Sequence, residues 1–275
     1  PDDELVHGDL DQAELRIIAS VANELNMLNI YNSGGDIHMV TGRKLVPDDV
    51  WEQTMAIVDI EKKKYEIDEI RRKAKCVNFG LPYGGSYLVL IMSAKRDYGV
   101  ILTEEEARRF YSIFFEQYPA LPAWHEKVTA FAQKMGYSVS PMGRIRHLPE
   151  IFTTVSRKES SHIIREALNS PIQGTCADFL GQIWSKVSSE VRRLKIRARA
   201  ILTVHDSLTW TCQKSASDEL IAIHHAAAKE LTEQHANGAN FGEFGILKPW
   251  LKCDMSMSFE KGPTWGDTEK IKKAA

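Results

Sequence analysis

The chain has 275 residues, 43% hydrophobic and 26% charged, with a formal net charge of −2. That is the balance of a soluble globular protein, with room for one sizeable core or two modest domains. It excludes a globally basic nucleic-acid binder, so any contact with a polyanion must use local basic patches, and the longest apolar run, YLVLIMSA at 87–94, is too short to span a membrane. Cys76, Cys176, Cys212 and Cys253 are far apart and form no C-x-x-C pair. They argue against a zinc site and for a reducing compartment. No signal peptide is read, and the start at Pro1 reads as a fragment of something longer.

Residues 3–9 read as a strand. Residues 11–28 carry Leu15, Ile18, Val21 and Leu25 at helical spacing, which predicts a helix. NSGGDIH at 32–38 is a turn followed by a helix start. The many charges of 49–70, EKKKYE among them, predict a solvated helix. Residues 66–81 predict a strong helix. Another, over 103–117, begins at Thr103 and three glutamates, an N-cap and dipole pattern. YSVSPMGRIRHLP at 137–149 predicts a hairpin around Pro141, Met142 and Gly143. Residues 157–169 and 175–194 predict two helices broken at Pro171 and Gly174, the second burying Phe179, Ile183, Trp184, Val187 and Val191. ARAILTVHDSLTWTC at 198–212 predicts two strands with His205 and Asp206 at the tight turn, and WLKCDMSMSF at 250–259 a last strand. Strands at both ends with helices between them predict an α+β fold, a sheet domain interrupted by a helical insertion.

Asp9 closes the first strand, and Asp206 sits in the hairpin turn 197 residues later (206 − 9). Carboxylates at strand ends of one sheet can bridge two metal ions, yet an aspartate at a turn is as readily a turn residue. Between them Arg71, Lys75, Phe79 and Tyr83 recur every four residues, which in a helix is one face. Two cations and two rings on one stripe suit a ligand with phosphates at one end and a flat base at the other. The alternative is an amphipathic helix with chance basic residues.

DLDQAELR (9–16), RRKAKCVNFGLPYG (71–84) and VHDSL (204–208) occur in the order of motifs A, B and C of family A DNA polymerases and resemble them closely. REALNSPIQGTCAD (165–178) resembles the stretch between motifs B and C, and DIH (36–38) the start of the fingers. The resemblance covers nearly the whole chain. It implies an antiparallel palm with an inserted helical fingers domain: palm 1–33, fingers 34–150, palm 151–275. It implies template-directed addition of dNTPs to a primer 3′-OH. Asp9 and Asp206 would each ligate two Mg²⁺ ions, for which Mn²⁺ can substitute, with the Leu10 carbonyl as a further ligand. Arg71, Lys75 and His38 would hold the triphosphate, Lys75 also protonating the leaving pyrophosphate. Phe79 would pack near the sugar and base, and Tyr83 would floor the nascent-pair pocket. Glu14 would exclude a 2′-OH and hydrogen-bond Tyr83. Arg165, Asn169, Gln173 and His205 would touch primer or template, and Gln12 would line the insertion site beside them.

The implied partners are primer-template DNA, dNTPs and an upstream thumb or exonuclease segment, with no membrane, in the cytoplasm of a bacterium or phage-infected host. No exonuclease or thumb motif is read, so the chain alone is expected to bind primer-template weakly. Ser207 stands where many members carry a glutamate, Asp11 where a serine is common, and Pro82 lies within the motif B stripe. The 33 positions between His38 and Arg71 (71 − 38) point to a phage-like variant. Asp11 is read as a helix N-terminal acid rather than a ligand. Arg144, Arg146 and His147 are candidates for template phosphates, whereas RRLKIRAR at 192–199 reads as a solvated helix end. Two other functions compete. A single-subunit RNA polymerase shares this palm, but Glu14 and the NFG run argue for DNA. An inactive replisome scaffold would not need Asp9, Asp206, Arg71, Lys75 and Tyr83 intact.

Overall fold

The computed structural model describes residues 2–240 and 246–271. The chain divides into two compact units: Pro1–Ser20 with Ser140–Arg144 and Ile172–Ala275, and Val21–Val139 with Ile145–Pro171.

The first unit is built on a five-stranded antiparallel sheet. Its strands are β1 (Asp3–Leu10), β4 (Ala198–Val204), β5 (Ser207–Gln213), β8 (Met257–Gly262) and β9 (Glu269–Lys270), in the order β4-β5-β1-β8-β9. The chain-terminal strands therefore meet at the centre. β1 pairs with β5 on one side and β8 on the other, with Gly8 opposite both Leu208 and Phe259. Side chains alternate between faces. Val6, Leu10, Leu208, Trp210, Met257 and Phe259 form the buried face, against which α10 (Ser217–Asn237) packs. Register puts His7, Asp9, Ser207, Thr209, Ser258 and Glu260 on the other face. Gly8 is required here: a Cβ would meet the Phe259 ring at 2.5 Å. The strand expected at 250–259 is Met257–Gly262, and the short β9 follows it. A two-residue ribbon, β6 (Ala239–Asn240) with β7 (Ile246–Leu247), precedes it.

The second unit holds α2 (Leu25–Asn32), α3 (Ile37–Leu45), α4 (Asp48–Ala56), α5 (Ile60–Gly80), α6 (Tyr87–Tyr98), α7 (Glu104–Gln117) and α8 (Ala120–Met135). The hairpin of β2 (Tyr137–Val139) and β3 (Ile145–His147) lies where it was expected. Thr103 and Glu106 close a full capping box on α7, as the Thr-Glu spacing predicts. The expected helix 11–28 is split into α1 (Ala13–Ala22) and α2, because Asn23 turns left-handed at φ 53°. The buried Glu24 carboxylate then accepts from the Asn26 and Ala120 backbone N–H groups at 3.0 and 2.6 Å. The charged stretch 49–70 is likewise two helices, α4 and the first half of α5.

One expectation fails in an instructive way. The helices predicted on either side of Pro171 and Gly174 are a single helix, α9 (Arg157–Leu194), with the proline inside it. An interior proline costs about 3 kcal/mol. Burial of Ala167, Leu168, Ile172, Cys176 and Phe179 along the same stretch outweighs that, at ~2 kcal/mol for each large apolar side chain. Trp184 leaves the predicted buried face and is 42% exposed, whereas Ile183 and Val187 are fully buried.

Candidate active site

In the first unit, the β1–β5 pairing sets Asp9 opposite Ser207, and the Leu10 N–H donates to the Asp206 carbonyl at 3.1 Å. The two aspartates thus sit at adjoining strand ends. The hairpin turn is tight enough to hold His205 at φ 52°, a conformation a non-glycine residue adopts only under constraint. Burial, with Asp206, Asp11 and Glu260 as like charges, pushes the Asp9 carboxyl up to about 6. Burial and Glu14 also raise Asp206, against its own backbone N–H and the neighbouring His205 and His7. Beneath them the Cys176 thiol is pushed to about 12 by burial and by Asp206, Glu14 and Asp9. Among the described residues the Asp9 carboxylate makes no ion pair, and no group of three or more His, Cys, Asp and Glu forms a closed metal cage. Half-buried oxygen donors in an uncompensated negative field are the donor set a hard divalent cation takes, with open positions left for other ligands.

Asp11 plays a part that its sequence position did not reveal. Its carboxylate accepts from the Ser256 hydroxyl at 2.8 Å and from the Ser258 hydroxyl, and its N–H donates to the Ser256 carbonyl at 2.9 Å. The Arg16 guanidinium donates to its carbonyl at 2.9 Å. In a planar trans peptide, C=O and N–H point oppositely. The Asp11 N–H bond therefore fixes the direction of the Leu10 carbonyl. Glu14 accepts from Gln173 at 2.6 Å, so two of the expected site residues meet. Gln12 takes φ 53° at the entry to α1. Arg165, Asn169 and Gln173 all lie on the unbroken α9 at four-residue spacing, each half-buried.

The second unit carries the cationic stripe. Arg71, Lys75 and Phe79 lie on α5, half-buried. Tyr83 does not: α5 ends at Gly80, Leu81 caps it, and Tyr83 falls in the following turn. Pro82 explains the ending: it has no N–H to continue the ladder to the Asn78 carbonyl, although Leu81 before it keeps helical geometry. The Arg71 Nε pairs with Asp36 at 2.8 Å, and Asp36 also caps α3 by accepting the His38 N–H at 2.8 Å. Burial raises the Asp36 carboxyl, but these partners win and hold it below the usual range. His38 is 2% exposed and sits 5.5 Å from the Phe79 ring. Burial, helped by Arg71 and Lys75 against Asp36, lowers it to about 4, so the imidazole is neutral at pH 7. Lys75 has no ion-pair partner among the described residues.

The outlying basic residues are engaged within the protein. Arg144 pairs through two nitrogens with Asp178, Arg146 pairs with Glu166 at 3.3 Å, and Arg197 with Asp3 at 2.9 Å. The pairing of Asp36 with Arg71 and the contacts of Asp11 with Ser256 and Ser258 escaped the sequence reading. Only Asp36 left a local signal, as an N-cap candidate after two glycines.

A sequence model of DNA polymerase family A matches residues 1–267. The chain is 28% identical over 273 residues to DNA polymerase I of Geobacillus stearothermophilus, covering 98% of this chain and 26% of that protein. It is 32% identical over 234 residues to a thermostable DNA polymerase I of Thermus caldophilus, covering 84% and 24%. It therefore spans about a quarter of the length of these relatives. Among solved structures, the polymerase domain of Pol1 from M. smegmatis, in complex with DNA primer-template and dNTP, superposes with a TM-score of 0.73 at 26% identity, covering 95% of this chain and 40% of that one.

Proposed function

The chain belongs to DNA polymerase family A, and on that premise we propose that it is the catalytic part of a template-directed DNA polymerase that adds dNTPs to a primer 3′-OH. The observation that carries the reading is the Asp9–Asp206 pair, joined by β1–β5 pairing in a negative field with no cation paired to Asp9 among the described residues. We assign the sheet unit as palm and the helical unit as fingers; the units divide at 20/21 and 171/172, not at the 33/34 and 150/151 expected from the motifs.

The residues divide the work. Asp9 and Asp206, with the Leu10 carbonyl, would hold two divalent cations, Mg²⁺ by preference. When bound, these ions acidify the primer 3′-OH and neutralise charge on the triphosphate. The Asp11–Ser256–Ser258 hydrogen bonds fix the Leu10 carbonyl for that task. Arg71 and Lys75 would bind triphosphate oxygens, the guanidinium by two-point contact and the ammonium as a point charge. Lys75 is the group able to donate a proton to pyrophosphate as it leaves. Phe79 and Tyr83 would pack on the sugar and the nascent pair. Glu14, fixed by Gln173, would exclude a 2′-OH. Arg165, Asn169 and His205 would contact the duplex through shape and backbone.

The test is primer extension on a primed template with Mg²⁺, running dNTPs beside NTPs and Asp206→Ala beside the unaltered chain. Extension with dNTPs alone, lost in the variant, is the expected result. Equal use of NTPs would overturn the role of Glu14 and favour RNA synthesis. No extension with either Mg²⁺ or Mn²⁺ would refute a self-sufficient polymerase and favour a scaffold.

A further inference from the structure

His38 is the least exposed of the residues assigned to the triphosphate, and its surroundings specify which of its ring nitrogens carries the proton. The Asn78 side-chain nitrogen lies 3.0 Å from His38 Nδ1 and 3.5 Å from the Ile37 carbonyl. A carbonyl only accepts, so the amide must turn its NH₂ to this side. The amide oxygen then faces Thr41, whose hydroxyl donates to it at 3.0 Å. With its proton committed there, the Thr41 oxygen is left to accept from the Tyr118 hydroxyl at 2.9 Å. The Gln117 amide nitrogen donates to that phenol at 3.2 Å. Tyr118, Thr41 and Asn78 are fully buried. Among the described residues Gln117 Oε1 has no partner in this arrangement, so the direction of the chain rests on the Ile37 carbonyl, which can only accept from Asn78.

The direction of the chain has one outcome at its end. Because Asn78 donates to Nδ1, that nitrogen is an acceptor and holds no proton. The neutral ring therefore carries its proton on Nε2. No group among the described residues accepts the Nε2–H. We propose that Tyr118, Thr41 and Asn78 form a hydrogen-bonded chain that holds His38 as the Nε2–H tautomer, a neutral N–H donor for a phosphate oxygen of the incoming nucleoside triphosphate. The inference rests on the assignment of His38 to the triphosphate and adds which atom acts, in which form, and what keeps it so. Asn78, Thr41 and Tyr118 are positioning residues in this account. A neutral donor is suited to this place: Arg71 and Lys75 already supply positive charge, and a third cation beside them would repel both and retain pyrophosphate after transfer.

The experiment is ¹⁵N–¹H correlation of the histidine ring nitrogens in the full chain at pH 7, before and after addition of dATP with Mg²⁺. His38→Gln assigns the signals, and the same samples give the dATP affinity. The expected spectrum shows a protonated Nε2 and an unprotonated Nδ1, with both signals moved by dATP. Asn78→Asp replaces the donor with an acceptor, so it should shift the proton to Nδ1 or leave the ring cationic, and weaken dATP about 10-fold. Thr41→Val is a buried near-isostere that removes only the orienting hydroxyl. It should keep the fold by circular dichroism while mixing the tautomers. A wild-type ring protonated at Nδ1, or an imidazolium at pH 7, would overturn the chain. Correct tautomer with His38 signals unmoved by bound dATP would overturn the assignment to the triphosphate instead. The two failures are distinguishable in one spectrum.

Discussion

Asp9→Asn should stabilise the metal-free protein while abolishing synthesis. In the folded chain the Asp9 carboxyl is raised from 3.8 to about 6, first by burial and then by Asp206, Asp11 and Glu260. The folded state thus binds a proton that the unfolded chain has already released between about pH 4 and pH 6. Stability accordingly falls as pH rises through that window, and the full cost is present above pH 6. The rise corresponds to roughly 3 kcal/mol at ~1.4 kcal/mol per tenfold. Asp9 is only half-buried, so solvent screening reduces this to about 1–2 kcal/mol. Asparagine has the same shape, and the Asp9 carboxylate makes no hydrogen bond among the described residues that asparagine would lose. Thermal unfolding at pH 8 without metal should rise by a few degrees in the variant. At pH 4 the two proteins should melt together. Adding Mg²⁺ at pH 8 should stabilise the wild type and leave the variant nearly unmoved. A variant less stable than wild type at pH 8 would refute the reasoning, because it would mean that the charge on Asp9 is compensated within the protein.

Gly8→Ala should cost about 1–3 kcal/mol by overpacking against Phe259, and Phe259→Leu in the same chain should recover part of it, as read by urea unfolding. Asp36→Ala removes both the α3 cap and the Arg71 partner. It should cost about 1–2 kcal/mol in urea unfolding, whereas Asp36→Asn should keep most of the cap. His224 is fully buried between Trp210 and Phe259, and burial lowers it to about 4. The unfolded chain then binds more protons between pH 6.5 and 4, so stability is full above that window and is lost as pH falls through it. His224→Phe should flatten that slope by roughly 2 kcal/mol in denaturant titrations across this range, leaving the shares due to His38, His125 and His235.

The elements that carry the chemistry were legible because they obey local rules. The strand before Asp9, the hairpin around Asp206 and the Thr103 cap each announce themselves within a few residues. Pro171 was misread for the same reason. Its local penalty is real, but the burial that overrides it comes from side chains distant in sequence. Pro82 behaves differently: although Ala74, Val77 and Leu81 beside it are fully buried, the helix stops, and Tyr83 leaves the stripe that its spacing suggested. The clamp on Asp11 was invisible because Ser256 and Ser258 lie some 245 residues away, and no pattern in either segment refers to the other. The tautomer of His38 was equally hidden, since it depends on hydroxyls contributed by α3 and by the end of α7.

The pairing of Arg71 with Asp36 bears on how such a site turns over. A guanidinium waiting for phosphate in a partly buried groove would be costly if it waited alone. Asp36 serves as a resident anion, and because it also caps α3 it stays fixed whether or not a guest is present. Of the Arg71 nitrogens, Asp36 is hydrogen-bonded to the Nε alone. On the proposed role of Arg71, capture of a triphosphate would be an exchange among anions around one cation, not the quenching of a bare charge. The free-energy well is shallower than the number of contacts suggests. Pyrophosphate, which offers the same oxygens, would on that role leave behind a guanidinium still paired with Asp36.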